Sequence, residues 1–212
     1  MWIHVWIHLT IGCACAATHL TSGISLRTQT CSGLLSQGAV TTLVTEFQNS
    51  AVDIIALQDT LCTPATEDRL MLWLRQAEAA VRATRHEAFW CHDTGPPAGH
   101  NGLAILIRPG MGITATNHRS SACGRAQLLD IQWGGHTFCL INTFWPATGL
   151  SERTLQEQLF LRDVLIPLLQ GPTVALPQAW ICGDFNFVPD TGRDRSPAPA
   201  TDSPTGRGDA MA

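Results

Sequence analysis

Lysine and tyrosine are both absent from the 212 residues. The first absence means that any phosphate contact must come from the 13 arginines, from histidine or from backbone amides. The second removes the phenolic hydroxyl as a donor. Charged residues make up only 14% of the chain, and a net charge of -4 offers no general attraction to nucleic acid. No two of the eight cysteines have the Cys-x-x-Cys spacing of a zinc site. They lie scattered at Cys13, Cys15, Cys31, Cys62, Cys91, Cys123, Cys139 and Cys182, several inside apolar runs, as buried thiols in a reducing compartment do. A basic segment before the apolar start is missing too, and His4 and His8 interrupt that start. Met1–Thr21 is therefore too short and too polar for a membrane span. Ala14-Cys15-Ala16 resembles a small-residue cleavage site, so a secretory reading stays open beside a leader or an upstream remnant.

What is present suits one globular domain, with 45% hydrophobic residues and a mean hydropathy of +0.08. Ile24–Thr28 reads as a short strand. Val40, Leu43, Val44 and Phe47 recur at helical spacing within Gly38–Phe47. Val52–Leu57 is a continuous apolar strand of the kind buried on both faces. Leu70, Leu74, Ala77 and Val81 form the stripe of a second helix over Thr66–Thr84. Ala88–Cys91 and Gly102–Ile107 read as strands. Ile113–Asn117, Ala126–Trp133 and Thr137–Thr143 follow as consecutive strands, with Gly134-Gly135 as a two-residue hairpin turn. Ser151 caps a third helix expected to reach Ile166 and to stop at Pro167, and Gln178–Cys182 is the last strand. Beyond Pro189 the chain is rich in Pro, Gly, Ser and Asp, a composition expected to be disordered. The expected division is a leader over residues 1–22, a domain over 23–189 and a tail over 190–212.

Two strands end in carboxylates. Trp180-Ile181-Cys182-Gly183 delivers Asp184 and Asn186, which point to the same side of an extended backbone. VDIIAL hands over Asp59 in the same way. An ionised Asp holds a hard divalent cation, and an Asn beside it binds an oxyanion without adding negative charge. A strand ending in a polar turn carries the same residue types and is the plain alternative.

Four stretches, DIIALQDT, GHNGLAILI, LINTFWPATG and WICGDFNFVPD, occur in one order. Together they resemble the endonuclease/exonuclease/phosphatase superfamily, and most nearly the endonuclease domain of non-LTR (LINE-type) retrotransposons, truncated at its C-terminus. The resemblance implies an α/β fold, a four-layer α/β-β/α sandwich of the DNase I-like kind, with its second sheet incomplete. It implies a divalent-metal-dependent phosphodiesterase using Mg²⁺ or Mn²⁺, with DNA as partner, no membrane and no inferable protein partner. The location it implies is intracellular, nuclear if the protein is functional. Asp59 stands where the family has a metal-binding Glu, one methylene longer. Asp184 matches the Asp that orients or deprotonates the attacking water, and Asn186 the Asn that contacts the scissile phosphate. Asn142 matches an Asn near the substrate that is more often structural. Phe144 replaces a Tyr, and Trp145 beside it is placed to stack on a base.

Two further departures accompany the likeness. Where the family's opening strand presents an Asn to the metal side, the candidates here are Arg27 and Gln29, and an arginine binds phosphate but not a cation. His100, beside Asn101-Gly102, is a substrate-side candidate, with an exposed loop histidine as the plainer reading. No histidine follows His136, so nothing matches the family's final Asp-His pair. Loss of one oxyanion donor costs on the order of a hundred- to a thousand-fold in rate. The expectation is a nuclease domain with impaired or absent activity, or a non-catalytic relic of the fold. Arg119 and Arg125 flank a loop in reach of a DNA backbone, or are simply solvated.

Overall fold

The computed structural model describes residues 24–94, 101–145, 158–170 and 179–185, and the backbone of His4–Val5. The leader apart from that pair, the tail, Asn186, His100 and the Ser151 cap lie outside the described residues. Two mixed sheets pack face to face. The first has the order β1-β2-β3-β5-β4, made of His4–Val5, Leu26–Thr30, Ile54–Gln58, Leu103–Ile107 and Glu87–Cys91, β4 being Glu87–Cys91 and β5 Leu103–Ile107. The second runs β6-β7-β8-β9, that is Thr114–Ser120, Ala126–Trp133, His136–Phe144 and Ala179–Asp184. β2 and β3 are parallel, joined by helix α1 (Gln37–Asn49), and β8 and β9 are parallel as well. Helix α2 (Glu67–Ala80) follows β3.

The alternation along each strand sorts the core into layers. Ile55 and Leu57 of β3 face outward, onto Val40, Leu43, Val44 and Phe47 of α1 and Leu70, Leu74 and Ala77 of α2. Ile54 and Ala56 face inward, where with Ile105 and Ile107 they meet Leu129, Ile131, Phe138, Leu140 and Cys182 of the second sheet. Leu128, Cys139 and Ile141 on the far side are covered by Phe160, Leu165 and Leu168. The order helix, sheet, sheet, helix is the four-layer sandwich.

The third helix runs past Pro167. Leu161–Leu165 is a π-helical turn that leads into α3 (Ile166–Leu169), with the proline in its first turn. Proline lacks an N–H and disrupts the i→i−4 ladder. The Ile166 amide bonds the carbonyl of Leu161, one residue further back than in an α-helix, so the ladder is re-registered just ahead of Pro167.

α1 is closed at both ends. The Ser36 hydroxyl accepts the Ala39 amide at 3.2 Å, and Arg108 donates to the Ser50 carbonyl at 2.9 Å and the Val52 carbonyl at 2.9 Å. At the far end of the first sheet, Glu78 and His86 are buried at 2% and 1% exposure. The carboxylate accepts the His86 amide at 2.7 Å, lies 2.9 Å from its Nδ1 and pairs with Arg75, and the imidazole stacks on Phe47. Burial lowers the His86 pKa more than Glu78 raises it, and burial likewise lowers that of His118. A lowered folded-state pKa gives stability that is whole above the ordinary imidazole value, about 6.5. That stability is lost as pH falls through the folded value. The urea midpoint is expected to drop from pH 7.5 to pH 5.5, and to drop less in His86→Asn. Equal drops in the two proteins would exclude His86 as the source.

Candidate active site

Parallel pairing puts the C-terminal ends of β2 and β3 side by side, with Thr30 opposite Gln58. In the second sheet it aligns Phe144 of β8 with Asp184 of β9. Hydrogen bonds stitch the two sheet ends together. The Thr30 hydroxyl donates to Asp184 Oδ2 at 3.0 Å, and Gln58 Nε2 donates to Asn142 Oδ1 at 2.6 Å. Four strand ends therefore meet at one rim.

Asp184 reaches the rim because Gly183 precedes it. Gly183 has φ +143°, and a Cβ there would collide with the carbonyl oxygen of Thr143 on the paired strand. Only glycine allows this approach. Asp59, the first residue past β3, has φ +55°, a left-handed conformation that Asp tolerates better than most residues. Its carbonyl accepts the Gly33 amide at 2.7 Å, which ties the turn to the loop after β2. Asp59 and Asp184 are both half-buried. Opposite them, Gly102 (φ +105°) holds β5 close against Thr60 and Cys62. The neighbouring Asn101 donates to Asp93 at 3.2 Å.

The remaining sequence candidates divide. Arg27 does not face this rim. Odd-numbered side chains of β2 point to the helix layer, where the Arg27 guanidinium is buried 3.5 Å from Glu46, while Thr28 and Thr30 point inward and to Asp184. This corrects the assignment of Arg27 or Gln29 to the metal side: the residue presented there is Thr30. Asn142 is fully enclosed, at 0% exposure. Its Nδ2 donates to the carbonyls of Leu57 at 3.0 Å and Ala104 at 3.2 Å. With the Gln127 amide oriented to satisfy both its ends, that side chain lies 3.1 Å from the same Nδ2. Asn142 joins the sheets and has no face toward a substrate. Trp145 accompanies Asp184 through its amide, at 2.8 Å from the Asp184 carbonyl. Its ring packs on Phe160 and Phe185, in the outer cluster. Phe144 is half-buried at the rim.

Sequence reasoning missed two residues. Thr30 gave no signal, since a threonine in a strand is ordinary. Arg125 was visible only as one of two loop arginines. Its guanidinium lies 5.4 Å from the Phe144 ring centre, with Nη1 3.4 Å from the Phe144 carbonyl. Burial lowers its pKa, and Cys123, Asp93 and Asp59 act against that shift.

Among the described residues no group of three or more His, Cys, Asp and Glu is placed to hold a metal ion. A Mg²⁺ ion needs less, because one or two carboxylates suffice when water and substrate phosphate complete its shell. Asp59 and Asp184 are half-buried oxygen donors, the ligand type that a hard ion of that class takes. Burial and the charge of Asp59 push the nearby Cys31 thiol up to about 12.

The family model for the Endonuclease/Exonuclease/phosphatase family matches residues 31–210. No curated protein matches the sequence. Among solved structures, the humanized TDP2 of D. rerio with 14 mutations aligns with a TM-score of 0.50 at 14% identity, over 79% of this chain and 64% of that one. D. rerio TDP2 complexed with single strand DNA product aligns at 0.47 and 14%, over 72% and 54%. The human Nocturnin catalytic domain aligns at 0.46 and 20%, over 72% and 57%. The chain thus spans less than two thirds of each of these proteins. At such identities the first likeness supports the fold alone.

Proposed function

Because this chain belongs to the endonuclease/exonuclease/phosphatase family, we propose that it is a divalent-metal-dependent phosphodiester hydrolase domain acting on DNA. We propose further that it is of retroelement origin and impaired in rate. The carrying observation is the Thr30–Asp184 hydrogen bond across the two sheets, 3.0 Å long, with Asp59 on the adjoining strand end. In-line attack on a phosphodiester needs an activated water, a compensated phosphate and donors for the developing charge. Asp184 takes the first task, orienting or deprotonating the water, and the Thr30 hydroxyl fixes the carboxylate that does so. When bound, a Mg²⁺ or Mn²⁺ ion supplies charge neutralisation at the phosphate oxygens, and Asp59 with Asp184 would hold it. Asn186, by its resemblance, contacts the scissile phosphate.

The impairment is argued from the residues present. Asp59 is shorter than the family's Glu, and Mg²⁺ demands near-ideal distances. Thr30 has a single hydroxyl where the family presents an Asn. The retroelement origin rests on the sequence resemblance.

The test is nicking of supercoiled plasmid in Mg²⁺ or Mn²⁺, comparing wild type with Asp184→Ala. Slow nicking that falls to the EDTA background in the variant is the expected result. Equal backgrounds for wild type, variant and EDTA would overturn it and leave a non-catalytic domain of the same fold. No helix among the described residues is long and apolar enough to cross a membrane.

A further inference from the structure

Arg125 stands immediately before β7, and its carbonyl accepts the Phe144 amide at 2.8 Å. Phe144 in turn pairs with Asp184. The three residues therefore occupy neighbouring strands at one level of the rim. The Arg125 guanidinium lies over the Phe144 ring, 5.4 Å from its centre, and Nη1 makes one long hydrogen bond, 3.4 Å, to the Phe144 carbonyl. Among the described residues no carboxylate lies within ion-pair distance of it. Other arginines are committed elsewhere. Arg27 is turned to Glu46, Arg75 to Glu78, Arg108 to the end of α1, Arg119 to the Leu168 carbonyl and Arg162 to Asp163.

A partly desolvated cation without an ion partner is costly, and an arriving oxyanion offsets that cost. We propose that Arg125 is the substrate-binding residue that takes a backbone phosphate of the nucleic acid, with the Phe144 ring as the platform that orients it. The proposal rests on the phosphodiesterase reading above. A guanidinium presents parallel N–H groups that match two phosphate oxygens. Stacking on a ring fixes its plane in advance, so less side-chain freedom is lost on binding. In a chain without lysine, this is a cation that the described residues place at the rim.

The experiment is equilibrium binding of a labelled duplex oligonucleotide, with Ca²⁺ in place of Mg²⁺, across a salt titration. Arg125→Ala is expected to weaken binding by about ten- to a hundred-fold. It should also reduce the slope of log K against log salt by about 0.9, one phosphate contact. Arg125→Lys keeps the charge and should restore the slope, while Arg119→Ala should leave it unchanged. Thermal melts verify folding, and Arg125→Gln carries the comparison if Arg125→Ala melts below the assay temperature. Wild-type binding with equal slopes in Arg125→Ala or Arg125→Gln would overturn the assignment of Arg125 alone. No binding by the wild type would overturn the DNA reading as well.

Discussion

Alanine at Gly183 is expected to dislodge β9. The backbone there has φ +143°, and an added Cβ would run into the Thr143 carbonyl oxygen. That oxygen belongs to a strand paired on both sides, to β7 and β9, so it has no room to yield. A glycine-only backbone conformation costs on the order of 1–3 kcal/mol when another residue is forced into it. The collision adds to this, and the total should exceed about 4 kcal/mol, the range reserved for the few most damaging substitutions. A domain stable by roughly 5–15 kcal/mol loses much of its margin. Trp180, stacked on Phe138 with ring centres 4.2 Å apart, reports the loss as a change in tryptophan emission. Gly134→Ala is the comparison, because Gly134 also has positive φ, +56°, but nothing lies within 4 Å of its added Cβ. That change should cost only about 1–2 kcal/mol, the left-handed strain itself. Equal urea midpoints for the two variants would refute the steric account.

The second large effect is expected at Asn142. Leucine has a similar volume but none of the hydrogen bonds. Asn142→Leu strips the Leu57 and Ala104 carbonyls of their Nδ2 donor and Gln58 Nε2 of its acceptor at 2.6 Å. The site is fully buried, so water does not replace these bonds. With roughly 1–3 kcal/mol for each group left unsatisfied, and Gln58 Nε2 keeping its 3.0 Å bond to the Ala56 carbonyl, the net loss should be about 3 kcal/mol. Removing both partners of a buried bond is cheaper than removing one. The double variant Asn142→Leu/Gln58→Leu should therefore be less damaged than the sum of the single changes, a coupling that urea unfolding measures. Additive losses would show that the two amides are independent and that the sheets are joined elsewhere.

These two residues also mark how far the sequence reaches. The apolar runs of β3, β5, β7 and β8 and the stripes of α1 and α2 are legible because burial imposes periodicity on composition. The carboxylates of Asp59 and Asp184 are legible because each ends such a run. β2 is different. Its central residues Arg27, Thr28 and Gln29 are all buried, at 6%, 5% and 4% exposure. No polar–apolar alternation reveals which side faces the rim, so nothing in the run marks Thr30 rather than Arg27. Asn142 was opaque for a related reason. An amide within an apolar strand fits a substrate contact and an inter-sheet bond equally well, and only the positions of Gln58, Leu57 and Ala104 decide. Arg125 sits in a turn whose loop-like composition conceals that its side chain lies against Phe144. Pro167 misled in the other direction, because a π-helical turn accommodates it.

The order in which β9 joins its sheet has a consequence for the chain as it is made. Every described strand of the first sheet has emerged once Ile107 has been synthesised, and β6 to β8 complete an antiparallel meander by Phe144. β9 pairs in parallel with β8 only after residues 145–178 have been added, and long-range parallel pairing is the slow kind. On the ribosome, then, β9 docks only after the other described strands are in place. Until it docks, the nascent domain has an open flank along β8.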